Sequence, residues 1–470
     1  MSRINTNVNS LIAQRVLTKN NKSLNTSLER LSTGLRINKG SDNPAGLIAS
    51  ESLRAEKAGI AQALENTERA SNLIGTAEGG LNETSALLTE LQGLVTQASN
   101  SGALSNDEIA ANQLQIDSIL NTVNRLANST EFQGKKLLDG SLGYSTSSVV
   151  VSTISNLRIN SARLPDGATQ SVTIAVTQSA QVATLDAGAA AVGAGGVTLE
   201  LAGLNGSEQL SFGSGATLSS VQTAINAIKE TTGVSATFSG ANLVFGSTTF
   251  GSDSFVSVRA VAGTFSTFTT SASRDTGRDA TVNVNGTSAT VKGRDVSIRT
   301  GSIDLSFQIG AGSNTSTFAA TIGVTGGGAT FSLGGRVTEG AKKSIGINSV
   351  NTTALGNNSD GFLSSLATGG ANSLNSNNLN TAQKVVSAAI NQVSQLRGRL
   401  GAFQRYELGS TANALGVAFE NISASESAIR ETDFAAETAN LTRAQILSQA
   451  ASSVLSQANA APQAALSLLR

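Results

Sequence analysis

The chain has 470 residues with no cysteine, no histidine and no tryptophan, which removes disulfide frameworks, thiol nucleophiles, histidine-based acid–base sites and the common zinc ligands. Only 14% of residues are charged, and 32 Lys+Arg balance 32 Asp+Glu to a formal net charge of zero. That balance argues against a nucleic-acid binder, which needs an excess of basic charge, and the sparse carboxylates argue against an enzyme; composition leaves open an ordinary neutral protein or one built to touch copies of itself.

The N-terminal stretch MSRINTNVNSLIAQRVL has neither an uninterrupted apolar core nor a small-residue cleavage site, so it does not read as a secretory signal peptide. No run of 18 or more apolar residues exists to span a membrane. From Val8 to Leu35 the leucines Leu17, Leu24, Leu28, Leu31 and Leu35 recur at helical spacing in a background of Asn and Ser. This helix is expected to stop at Gly34. A second begins at once, with Asn43 as N-cap and Pro44 in the first turn.

The second helix carries a clear heptad pattern. Leu53, Ile60, Thr67, Ile74, Leu81, Leu88 and Val95 recur every seven residues, and mostly small residues (Ala63, Ala70, Ala77, Thr84, Ala98) recur three positions later. Continued to about Asn100 it would be about 85 Å long at 1.5 Å per residue. A third helix restarts at Ser105, with Glu108 three residues on as a capping box. EFQGKKLLDG then reads as the exit into a hairpin.

From about Gly140 to Leu374 the composition turns to Gly, Ser, Thr and Val. GVTLELAGL, ANLVFGS, SFVSVRAV, ATVNVNG, SATVKG and SIDLSFQIG read as short strands split by Gly and Asn turns, interrupted by one helix from Leu218 to Gly233. Folded β-rich domains are expected here rather than disorder. The C-terminal zone is helical again: Val386, Val393 and Leu400 alternate with Ala389, Leu396 and Phe403. After a stutter-like shift, Leu408, Leu415, Ile422 and Ile429 resume the sevenfold spacing. Beyond Thr432, Leu441, Leu447, Leu455, Leu466, Leu468 and Leu469 lie among Ala, Ser and Gln. Neither end can bury its stripe alone, so the two ends are expected to pack together with the middle inserted. The outermost helices are marginal in isolation and are expected to order only against a partner.

The motifs at both ends resemble those of the bacterial flagellin family. INTNVNSLIAQRVL, SLERLSTGLRINKGSDNPAGL, ERASNLIGTAEGGLNET and STEFQGKKLLDG stand in the family's order, as do RGRLGAFQRYEL, ISASESAIRETDFAAETANLTRAQIL and QANAAPQAALSLLR. VQTAINAIKETTGVSATFSGANLVFGS is similar to a repeat of flagellin and hook-associated surface domains.

The resemblance implies an α+β multidomain fold, a long coiled-coil helical bundle formed by both chain termini with β-rich surface domains inserted. Its five parts would be residues 1–42 (inner-tube helix and spoke), 43–165 (outer-tube bundle with hairpin), 166–345 (one or more variable β-rich surface domains), 346–431 (outer-tube bundle) and 432–470 (inner-tube helix). The inner-tube seam would be Leu17, Leu24, Leu28, Leu31, Leu441, Leu447 and Leu455. The outer-tube seam would be Leu53, Ile60, Ile74, Leu81, Leu88, Val95, Leu408, Leu415, Ile422 and Ile429. It further implies a self-assembling filament subunit for swimming, exported by the flagellar type III route without a cleaved signal, whose termini fold on assembly. The implied partners are copies of itself, the filament cap, hook–filament junction proteins and an export chaperone on Phe434 to Arg470; no cofactor or metal is expected.

One departure bears on a host partner. Flagellins recognised by the vertebrate Toll-like flagellin receptor carry Leu-Gln-Arg-Val-Arg-Glu-Leu where this chain reads LTELQGL, so Glu90 and Gln92 replace the arginines, Leu94 is kept, and Gln115 stands where a Glu contact would be. Weak recognition is expected, since a reversed charge at a central contact is costly. A junction protein and an adhesive surface domain are the alternative readings; a metalloprotease insert is excluded by the lack of histidine.

Overall fold

A computed structural model describes residues 6–100, 102–150, 152–164, 168–188, 192–265, 273–376 and 378–467. Ile4, Pro165, Leu468 and Leu469 lie outside the described residues, and so does the side chain of Leu466. The helices in chain order are α1 (Val8–Thr33), α2 (Pro44–Ala98), α3 (Asn106–Ser129), α4 (Leu218–Ala227), α5 (Lys229–Thr232), α6 (Leu379–Ala402), α7 (Gly409–Arg430) and α8 (Phe434–Ser467). The chain divides into two compact units.

The first unit comprises residues 1–70, 332–342 and 405–470. α1 ends at Gly34, whose φ of 73° is the left-handed conformation that a glycine C-cap adopts without strain. The connector that follows is held by backbone pairing: Arg36 N–H donates to Arg430 carbonyl at 2.7 Å and Thr432 N–H to Gly34 carbonyl at 2.9 Å. Ile37 is its buried anchor. Asp42 Oδ2 accepts from the amides of Lys39 (2.9 Å) and Asn38 (3.0 Å), and these bonds, Lys39 foremost, hold its carboxyl below the usual range. Asn43 Oδ1 then accepts from Gly46 N–H at 2.9 Å, the N-cap bond that starts α2.

Within this unit the first turns of α2 meet α7 through charge. Lys57 Nζ lies 3.1 Å from Glu426 and over the Phe419 ring, and Arg430 reaches Glu51 at 2.9 Å. α7 has no fully buried residue; Leu415, Ile422 and Ile429 are half-buried. The segment 332–342 crosses α2 where Gly59 stands. A Cβ on Gly59 would lie 2.2 Å from the Gly335 carbonyl oxygen, so only glycine permits the approach.

The second unit comprises residues 71–331 and 343–404. Here the heptad faces are fully interior: Ile74, Ala77, Leu81, Thr84, Leu88, Leu91 and Val95 on α2, Ile116, Ile119, Leu120 and Val123 on α3, and Val386, Ala389, Val393 and Leu400 on α6 are buried. α3 opens with the expected capping box: Glu108 Oε2 accepts from Ser105 N–H at 2.7 Å, and Ser105 Oγ accepts from Glu108 N–H at 3.3 Å. Bonds to the Ser105 amide and hydroxyl hold the Glu108 carboxyl below its usual range. The segment 350–376 is strapped to the helices by polar pins. Gln113 Nε2 donates to Leu366 carbonyl, Asp117 accepts from Thr368, and Gln392 both donates to and accepts from the Gly356 backbone.

The register shift after α6 takes a different form from a stutter. Leu400 and Leu408 are eight residues apart, one more than a heptad. The backbone takes up that extra residue as a π-helix from Phe403 to Leu408, and Leu408 returns to the interior. The hairpin read in EFQGKKLLDG is present, with Glu131 and Phe132 pairing Lys136 and Lys135 across Gln133 (φ 52°) and Gly134 (φ 78°).

The β-rich region contains two cores, and its sheets open at Tyr144, ahead of residue 166. The outer core joins a five-stranded sheet (Thr287–Ser288, Thr281–Val284, Gln170–Gln178, Ala319–Gly327, Tyr144–Ser147 in spatial order) to a four-stranded one (Thr290–Lys292, Asp295–Arg299, Ile303–Ile309, Ile154–Ala162). Strict alternation along Ile303–Ile309 sends Ile303, Leu305, Phe307 and Ile309 inward, the period-two signature of a strand with one face on the core. The inner core, whose buried residues run from Ala183 to Phe265, is inserted into the outer one between Gln181 and Arg278. It joins sheets of three (Thr184–Asp186, Asn242–Ser247, Val234–Ser239) and four strands (Ser273–Thr276, Phe255–Phe265, Val192–Gly203, Gly206–Phe212), with Val221 and Ile225 of α4 buried among them. The expected helix from Leu218 to Gly233 is α4 and α5, closed by Gly233 at φ 75°. Chain enters and leaves the inner core side by side: Gln181 and Arg278 exchange backbone bonds of 2.8 and 3.0 Å.

Candidate assembly surface

Among the described residues no helix is long and apolar enough to cross a membrane, and no cluster of carboxylates is arranged to hold a metal. The feature that calls for explanation is the pair formed by the two terminal helices. α1 and α8 run antiparallel: Asn7 Nδ2 donates to Ala458 carbonyl at 2.8 Å at one end, Asn20 Nδ2 to Leu447 carbonyl at 3.0 Å in the middle, and Arg30 lies 3.6 Å from Glu437 at the other end. Ser10 Oγ to Asn459 and Ser448 Oγ to Asn21, both 2.7 Å, add side-chain bonds.

The contact seam alternates small and large residues. On α1 it runs Ala13, Leu17, Asn20, Leu24, Ser27, Leu31, spaced four and three; on α8 it runs Glu437, Leu441, Ala444, Ser448, Ala451, Leu455, Ala458 at the same spacing. Ala13, Ser27, Ala444, Ala451 and Glu437 are buried, while Leu17, Leu24, Leu31, Leu441 and Leu455 are half-buried flanks. The small residues let the backbones approach and the leucines close over the gap. Two leucines of the expected inner seam sit elsewhere. Leu28 and Leu447 are each 47% exposed, because they fall outside the four–three pattern. The small residues that form the seam are weak hydrophobic signals beside the leucines; their four–three spacing is the cue to them.

The pair leaves a second apolar face uncovered. Val8, Leu11, Ile12 and Val16 on α1, and Ile446, Leu447 and Val454 on α8, are all more than 40% exposed. Ile12, Val16, Leu447 and Val454 line a shallow groove of about 460 Å³ between the helices. Isolated exposed hydrophobics are ordinary, but a continuous face of this kind marks an interaction site.

In the outer seam, Ile60, Ile74, Leu81, Leu88, Val95 and Leu408 are buried, and Leu53, Leu415, Ile422 and Ile429 are half-buried. Of the positions matched to the host receptor, Glu90 and Gln115 are exposed and Gln92 is half-buried. Leu94, by contrast, is buried, so its identity is that of a packing residue rather than a surface contact.

Comparison with known proteins bears on all of this. The model of the bacterial flagellin N-terminal helical region matches residues 4–142, that of the C-terminal helical region residues 376–469, and the flagellin hook IN motif residues 198–249, which include α4, α5 and part of the inner core. Flagellin D of Vibrio anguillarum is 30% identical over 99% of both chains, and Flagellin D of Vibrio cholerae is 29% identical over the same shares. Among solved structures, FliC from Burkholderia pseudomallei aligns at 18% identity over 72% of this chain and 99% of that one, with a TM-score of 0.25. The flagellar junction protein FlgL from Legionella pneumophila aligns at 12% identity over 81% and 99%, with a TM-score of 0.29. With helical-region matches at both ends and a full-length relative at this identity, the chain belongs to the bacterial flagellin family, the structural subunits of the flagellar filament.

Proposed function

We propose that this subunit polymerises through the uncovered face of the α1–α8 pair, with copies of itself as the occupants, and that the pair completes its folding as it docks. The observation that carries this reading is the apolar face on two helices that bury little of their own surface. Helices of this composition are marginal alone, and covering a Leu or Ile side chain contributes about 1.5–3 kcal/mol. A subunit arriving at a filament end would gain both at once. Motility, docking at the cap and junction proteins, and export by the type III route belong to the same reading. A chain without cysteine can be threaded unfolded without forming cross-links, and an export chaperone would cover α8 from Phe434 onward.

Seeded polymerisation of purified monomer tests it. Leu447→Asp places a charge in the groove without touching the buried α2–α6 faces. The expected result is an unchanged monomer by circular dichroism and no filaments by electron microscopy. Leu24→Asp, at the half-buried flank of the seam, is expected to loosen the α1–α8 pair as well. Filaments of normal length from both variants would reject this surface.

Recognition by the host Toll-like flagellin receptor is proposed to be weak, because Glu90 and Gln115 present the wrong charge pattern on an exposed helix face. A reporter-cell assay with purified monomer should show low potency that rises when Glu90→Arg and Gln92→Arg are combined; full potency of the native sequence would refute it.

A further inference from the structure

The surface domain holds a cationic groove that filament assembly does not explain. It has a volume of about 390 Å³ and lies between the strand Ile154–Ala162 and the segment 348–362. Its polar lining includes Arg158, Asn156, Asn348 and Asn358, with hydroxyl side chains such as Ser155 and Thr146. We propose that this groove binds a small carboxylate, with the Arg158 guanidinium as the charge partner and the Asn348 amide beside it.

Three observations support the assignment. First, Arg158 is half-buried and makes no ion pair among the described residues; burial alone lowers its proton affinity, with no carboxylate working the other way. Second, the neighbouring charge is also positive. Arg399 on α6 is held to about 10 by burial, with Arg158 and Arg299 opposing its charge and Asp304 supporting it. Third, Asp304 is already committed, accepting from Arg299 Nε at 2.7 Å and from Asn160 Nδ2 at 2.8 Å, while Arg399 donates to Asn160 Oδ1. Arg399 thus draws on an acid that is already occupied and Arg158 has none, and a desolvated charge without a partner is costly.

The lining selects the anion. A planar guanidinium fork matches a carboxylate in bidentate geometry. Around it stand neutral amides and hydroxyls, which suit a planar monoanion better than a more highly charged phosphate. The backbone at Asn156 is left-handed, φ 54°, and its Oδ1 accepts from Asn358 N–H at 3.3 Å, tying the two walls together. The carboxylate can come from a free small acid or from an acidic side chain of a neighbouring copy.

Titration calorimetry of acetate, a planar monocarboxylate, into the full-length monomer, at fixed ionic strength, tests the site. Saturable one-to-one binding is expected, weakened at least about tenfold by Arg158→Met, as loss of a charge-assisted pair requires, and unaffected by Arg259→Gln on the far sheet. Ligand-free Arg158→Met should also melt above the native chain, because it removes an unanswered cation. Asn348→Ala, which leaves every charge in place, should weaken binding several-fold and serves if Arg158→Met does not fold. Absence of saturable binding, or equal affinity in native chain and both variants, overturns the proposal. Repeating the titration on filaments separates the sources: retained binding identifies a free small acid, and loss identifies an acidic side chain of the next copy filling the groove.

Discussion

Two helical seams in this molecule use the same sevenfold arithmetic and reach opposite results. Along α2 from Ile74 to Val95 the large positions are fully buried. Among the described side chains of α1 and α8 only alanines, a serine and a glutamate are buried, and the seam leucines are left half-covered. The difference lies in how many neighbours each helix has. The stretch of α2 from Ile74 to Val95 lies in the second unit with the buried faces of α3 and α6, and Gly80 packs against Leu138 and Thr130, whereas α1 and α8 have each other and an uncovered second face. A heptad pattern thus reports that a helix has a seam, not whether the seam is closed within one chain.

Several substitutions sharpen that contrast, the largest effect first. Leu81→Ala should destabilise the monomer by about 2–5 kcal/mol, the cost of a cavity in a fully packed core, seen as a lower denaturation midpoint. Leu447→Ala, at an exposed groove position, should shift that midpoint by no more than about 0.5 kcal/mol; a larger shift would mean that the terminal face is already covered in the monomer. Gly59→Ala forces a methyl against the Gly335 carbonyl and should cost about 1–3 kcal/mol, as overpacking does, with proteolysis of the 332–342 segment as the local readout. The smallest effect is on pH. The carboxyls of Asp42 and Glu108 are held below their ordinary values of 3.8 and 4.5. Their contribution is therefore complete above those values and is lost as the pH falls through the lowered ones. Acid titration should loosen the connector and the start of α3, seen as faster amide exchange there, before the buried α2 seam gives way.

Much of this was legible in the sequence. Asn43-Pro44, Ser105 with Glu108, and the Leu53-to-Val95 repeat each name a local structure whose cause is local: a cap, a box, a period. The alternation in SIDLSFQIG likewise marks its strand. What escaped reading depends on partners distant in sequence. The two cores of the β-rich region are indistinguishable strand by strand; they separate only when Ile154–Ala162 pairs with Ile303–Ile309 across the entire inserted core. The π-turn at Phe403–Leu408 shows in the sequence as one residue too many, but whether a chain answers with altered supercoil or a single bulge is decided by what Leu408 must reach. The terminal seam was hidden because alanine and serine signal little hydrophobicity, although they set how closely two helices approach. In the receptor-matched stretch, Leu94 reads as a contact in one dimension and sits in the core in three.

The paired backbones at Gln181 and Arg278 make the inner core a cassette. Its two ends leave the host domain one hydrogen-bonded step apart, so the host senses only a short loop closure whatever hangs beyond it. A longer, shorter or unrelated domain whose ends meet at the same spacing could occupy that position while the terminal helices keep their sequence and their packing. The β-rich region can change in this way without renegotiating the contacts that hold the helices together.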